Sequence, residues 1–213
     1  MVRPSGRHTG ITDLPLTSKG ESDIEALAER VVGKGRLLDP DLLSLVLISP
    51  RQRACKTYDL LFLHLSEGQR PKKVSIDESV REWDYGQCEG ALASDVNAKR
   101  KAEGEKLWDI WMDGCPGGES PEEMTARVDE VVQHIQKLHR EWMSRDNAQA
   151  DDKGGDVLVL SHGHFSRVFM ARWIGLPIAQ GQLFTVDVGG VSIGQYYHTL
   201  DKTCIGALNA GSF

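Results

Sequence analysis

Two short, uninterrupted apolar runs decide what this chain can become. Residues 44–49 read SLVLIS and residues 156–160 read DVLVL, and each is followed at once by a polar cluster and then a helical pattern. A strand with one wet face alternates apolar and polar residues, whereas a continuous run belongs to a strand covered on both faces. Such strands, joined by helices, sit in parallel sheets with helices packed above and below. A third short strand is expected at VSID, residues 74–77. The expected class is therefore α/β with a mostly parallel sheet. At 213 residues, with no repeat and no linker, the chain reads as one domain spanning 1–213.

Helix signals fall between these runs. Thr17 to Glu21 opens a helix carrying Ile24, Leu27, Ala28 and Val31 at helical spacing, and Gly33 and Gly35 end it. Pro50 is expected in the first turn of a second helix. Ser120, Pro121 and Glu123 form a capping box for a long third one, whose apolar stripe runs through Met124, Val128, Val131, Ile135, Leu138 and Trp142. His134 and His139 lie off that stripe and are expected in solvent. Residues 144–155 read as a polar loop, and Gly189-Gly190 as the turn of a hairpin between QLFTVDV and VSIGQYYH. Trp83, Trp108 and Trp111 suit core and pocket wall.

The net charge of −6 argues against a general nucleic-acid or membrane-surface binder, while leaving room for a local cationic pocket. There is no run of 18 apolar residues and no signal-peptide pattern, so a soluble cytoplasmic protein is expected. Cys55, Cys88, Cys115 and Cys204 are scattered and read as free thiols. No metal is expected, because His162, His164 and Cys204 match no zinc spacing.

Ligands of open α/β sheets bind beyond the carboxyl ends of the strands. Three polar clusters fall there: Arg51-Gln52-Arg53 after the first run, Arg81 to Gly86 after VSID, and Ser161-His162-Gly163-His164 after DVLVL. Arg, His and Glu (Arg53, His162, Glu82) converging at one sheet edge suit a phosphate. Free N–H groups at two helix N-termini would add to the attraction.

In order, SPRQRACKT, REWDYGQCEG, GGES and VLSHGHFSRV resemble the histidine phosphatase superfamily, with the phosphoglycerate-mutase-like fold of three layers, α/β/α. GRHTGITDLPLT, REWDYG and WDIWMDGCPGGES are most similar to fungal sugar-bisphosphate phosphatases of the sedoheptulose bisphosphatase kind. The resemblance implies a metal-independent and cofactor-independent phosphomonoesterase acting on small phosphorylated sugars through a phosphohistidine. His162 and Arg53 would hold the phosphoryl oxygens, and Glu82 would protonate the leaving group and then activate water. Arg3, Arg7, Thr9, Gly10, Tyr85, Gly163 and His164 would contact substrate, and Glu119 would face the pocket or serve the helix dipole. The family's nucleophile lies in an Arg-His-Gly motif on a first central strand, and no residue here aligns with it. His8 belongs to the downstream RHTG segment. The expectation is an N-terminally truncated domain whose DVLVL strand lacks a neighbour. Two alternatives are carried: a pseudo-phosphatase that senses phosphorylated ligands, and a phosphoglycerate mutase. The C-terminal hairpin offers a surface for a homo-oligomer.

Overall fold

The apolar runs form strands that take helices on both faces. In the computed structural model, which describes residues 6–145 and 154–211, strand β1 spans Leu43–Ile48, β2 Val74–Ile76 and β3 Asp156–Leu160. They make a fully parallel sheet in the order β2-β1-β3. Ile48 pairs with both Ile76 and Leu160, so the three strands end together.

The period-2 rule assigns each face its helices. Helices α1 (Ser18–Val31) and α2 (Gln52–Leu61) cover the face of Val46, Ile48, Leu158 and Leu160. The short helices α3 (Ala93–Ala102) and α4 (Ile110–Asp113) lead into α5 (Pro121–Met143), and α6 is Gly163–Trp173. Helices α5 and α6 cover Leu45, Leu47, Val157 and Val159. That is a three-layer α/β/α arrangement. Thr17 caps α1 and the Ser120–Glu123 box caps α5.

Some expectations are corrected. Pro50 precedes the N-cap, Arg51, and so lies outside the first turn of α2. The hairpin is formed by β4 (Val191–Tyr197) and β5 (Thr199–Ala210), and it turns at His198, where φ is 65°. Residues 182–188 do not pair as a strand, because the Asn209 side chain takes the Thr185 carbonyl and the Asp187 N–H. His139 is half-buried under that hairpin and shares a 2.7 Å hydrogen bond with the Tyr196 hydroxyl. Burial lowers its pKa. His134 is exposed as expected. Most of the 144–155 loop lies outside the described residues.

β3 is hydrogen-bonded only to β1 among the described residues, and β4-β5 is a separate sheet. Although β3 is apolar, Val157, Leu158, Val159 and Leu160 are only half-buried. A strand paired along one edge keeps that much surface open.

Candidate active site

The site grows from the shared strand ends. Ser49 donates its N–H to the Leu160 carbonyl at 2.9 Å, and Asp77 donates to the Ile48 carbonyl at 2.8 Å. The three loops that leave the sheet therefore start side by side. The first loop begins at Ser49 and supplies Arg51 and Arg53, the second runs through Glu82, and the third carries His162.

His162, the N-cap of α6, is held at both ring nitrogens. Arg53 Nε donates to Nδ1 at 3.2 Å, which puts the ring proton on Nε2, where it is donated to Ser49 Oγ at 2.7 Å. Ser49 is fully buried, so its hydroxyl orients the ring and cannot reach a ligand. Burial pushes the His162 pKa down to about 4, aided by Arg53, Arg51 and Arg127 and opposed by Glu82. The imidazole is therefore neutral near pH 7. Burial also lowers the Arg53 pKa. The other Arg53 donors grip the carbonyls of Thr12, at 3.0 Å, and Thr9, at 3.1 Å. Arg51 Nε holds the Gly10 carbonyl at 3.0 Å. Residues 9–13 are thereby tied across the start of α2.

Glu82 is nearly buried, and its carboxylate accepts three backbone N–H bonds: Trp83 at 3.0 Å, His164 at 3.1 Å and Phe165 at 2.8 Å. Burial alone would raise its pKa, but His164, His162 and these N–H groups outweigh burial and hold it below the usual carboxylate range. Two of the three bonds are to the first turn of α6, so Glu82 caps that helix from outside. Asp13 does the same for α2, accepting from the Gln52 N–H at 2.8 Å. Of the N–H groups expected to be free at the two helix starts, those of Gln52, His164 and Phe165 are thus already taken. Both ends carry a carboxylate of this chain, and the cationic character of the site comes from Arg51 and Arg53.

The remaining expected contacts divide. Tyr85 and His164 are buried, with the hydroxyl 2.7 Å from His164 Nδ1. Gly163 opens α6 beside them. His8 bonds the Ala91 carbonyl through Nδ1 at 3.0 Å and packs edge-on against Tyr85 and Trp108, so its ring is part of the wall. Arg7 is exposed and holds the Gly90 carbonyl. The Gly10 N–H is taken by the Glu89 carboxylate, which also accepts from the Thr12 N–H. Glu119, directly before the N-cap of α5, is buried in an ion pair with Arg127. Arg3 lies outside the described residues. Sequence reasoning missed Ser49, Asp13, Glu89 and Arg127. Of these, only Ser49 carried a signal, its place at the carboxyl end of a buried run. No cluster of three or more His, Cys, Asp or Glu suited to a metal ion occurs among the described residues, and no helix there is long and apolar enough to cross a membrane.

Two glycines let the second loop meet the segment before α5. A Cβ on Gly118 would lie 2.4 Å from the Asp84 carbonyl oxygen and 2.5 Å from the Gly86 nitrogen. Gly118→Ala is expected to cost about 3 kcal/mol and to lower the melting temperature by about 6–12 °C, readable by thermal denaturation.

The sequence signature described as "Histidine phosphatase superfamily (branch 1)" matches residues 3–202. Sedoheptulose 1,7-bisphosphatase of Saccharomyces cerevisiae is 36% identical over 97% of this chain and 79% of its own length. An acid phosphatase of Mycobacterium tuberculosis is 35% identical over 94% of this chain and 83% of its own. Among solved structures, the product of a Mycobacterium tuberculosis open reading frame superposes with a TM-score of 0.70 at 31% identity, covering 96% of this chain and 89% of that one. The alpha-ribazole phosphatase of Shigella flexneri, at 22% identity, shares the fold with a TM-score of 0.69 and covers 97% and 89%. The chain belongs to the histidine phosphatase superfamily, a family of phosphatases, and carries its α/β fold with a parallel sheet.

Proposed function

We propose that this site binds the phosphoryl group of a small phosphorylated sugar, with sugar bisphosphates as the preferred substrates, and serves metal-independent phosphomonoester hydrolysis. The observation that carries the reading is the Arg53–His162 contact at the joint ends of β1 and β3. An anion arriving there meets the Arg53 guanidinium, and protonation of His162 at Nδ1 would release its contact with Arg53 Nε and turn both N–H groups to the anion. The similarity to sedoheptulose bisphosphatase supports a sugar bisphosphate.

In this reading a histidine nitrogen attacks phosphorus, an N–P bond forms as the P–O bond breaks, and Glu82 gives a proton to the leaving alkoxide. Water, deprotonated by Glu82, then cleaves the N–P bond. Glu82 rests as a carboxylate and takes up its proton when the phosphate dianion binds beside it. None of the described imidazoles is set as the attacker. His162 is engaged at both nitrogens, His164 is bonded to Tyr85, and His8 is packed in the wall. Among the described residues β3 is paired along one edge only, and a strand bringing a nucleophile would fit along the other. These engagements favour a second reading, a phosphate-binding pseudo-phosphatase.

Phosphate release from sedoheptulose 1,7-bisphosphate and fructose 1,6-bisphosphate tests the proposal. Turnover is expected to fall about 100-fold or more in His162→Ala and to persist in His8→Ala. Binding without turnover would move the account to the second reading. Turnover indifferent to His162 and Arg53 would sink both.

A further inference from the structure

Arg127, on α5, is a cation the phosphoryl site does not use directly, and all five of its N–H donors have acceptors. Nε and Nη2 form a two-pronged pair with the Glu119 carboxylate, each at 2.7 Å. Nη1 donates to the carbonyls of Ser79 and Arg81, both at 2.9 Å, and Nη2 reaches the Glu82 carbonyl at 3.5 Å. Glu119 extends the grip. Its carboxylate accepts the Asp84 N–H at 3.3 Å, its own N–H donates to the Asp84 carbonyl at 3.0 Å, and its carbonyl accepts the Trp83 indole N–H at 2.9 Å. The pair is nearly buried, at 10% and 6% side-chain exposure. The guanidinium also lies 5.8 Å from the centre of the Phe165 ring, on the helix that Glu82 caps.

We infer that Arg127, locked by Glu119, is the positioning residue for Glu82: it fixes the 79–84 backbone so that the Glu82 carboxylate is presented between the start of α6 and the phosphoryl site. The carbonyls of Ser79, Arg81 and Glu82, beside a proton-transferring side chain, gain a rigid frame from one planar fork. Lysine has a point charge and three donors, and it does not reproduce that frame. The task assigned to Glu82 rests on the proposed function, but the frame itself does not.

Two variants separate positioning from charge and from simple stability. Arg127→Lys keeps the charge and loses the fork. Arg127→Met with Glu119→Gln removes both charges together and leaves no lone buried ion. The readouts are the titration of the His162 imidazole by NMR in the free chain and the affinity for inorganic phosphate. The groups facing His162 are Glu82, Arg53, Arg51 and Arg127, so a displaced Glu82 changes its titration. Folded Arg127→Lys is expected to move the His162 midpoint by about one pH unit or more and to weaken phosphate binding about tenfold. If Arg127→Lys does not fold, the double variant is read by its phosphate affinity, because losing the Arg127 charge by itself shifts the His162 midpoint. A folded variant with both readouts unchanged would overturn the inference, as would failure of both variants to fold, which would assign Arg127 to stability alone. If the parent chain does not bind phosphate, the proposed function fails, while the His162 titration still judges the frame.

Discussion

Arg53→Ala is expected to weaken the binding of inorganic phosphate and orthovanadate by roughly 10- to 100-fold, the effect of removing hydrogen bonds worth about 1.5–3 kcal/mol between charged groups. Arg53 binds His162 and two carbonyls of the 9–13 segment at once, so its loss also frees that segment. Arg53→Lys should recover only part of the affinity. An ammonium restores the charge but cannot span His162 and both carbonyls. A calorimetric titration reads both variants. Retained wild-type affinity in Arg53→Ala would remove the residue from the site.

Glu82→Ala is expected to destabilise the fold by about 3 kcal/mol, or roughly 6–12 °C in melting temperature, before any effect on chemistry is considered. The substitution leaves three buried N–H groups without their acceptor and uncaps α6. Glu82→Gln keeps one acceptor oxygen and should cost less. The effect depends on pH in a definite direction. The folded carboxyl titrates below the ordinary value of 4.5, so on acidification the unfolded chain takes up the proton first. This share of stability is therefore complete above about pH 4.5 and is lost as pH falls through the folded value. Thermal melts of wild type and Glu82→Gln between pH 3 and 7 should converge at the acid end. Parallel curves would mean that the carboxylate contributes nothing as an ion.

The sheet was legible because apolar runs bounded by Pro50 and Ser161 admit few other readings, and α5 because its capping box and apolar stripe are local. The hairpin turn was misplaced because Gly189-Gly190 is a strong local signal overruled by a distant partner, the Asn209 side chain. His139 was misjudged for a related reason: the hairpin that covers it is more than 50 residues away, at Tyr196. Arg53, Glu82 and His162 could be picked out together because each follows a strand end. Their resting bonds could not. Nothing in REWDYG says that its glutamate will cap a helix that starts 81 residues later, nor that Asp13 will occupy the start of α2. Arg127 sat in a helix rich in charge and left no local trace of the distant carbonyls it holds.

The central claim is that Arg53 and a neutral His162 form a phosphoryl-anion site. It is tested most directly by titrating the chain with inorganic phosphate at pH 6 in two buffers of different ionisation enthalpy. His162 is neutral there, since its pKa is about 4, and a bound dianion favours the imidazolium. The account predicts that wild type takes up more protons on binding than His162→Ala does. Phosphate binding of equal affinity and equal proton balance in wild type and His162→Ala would contradict it.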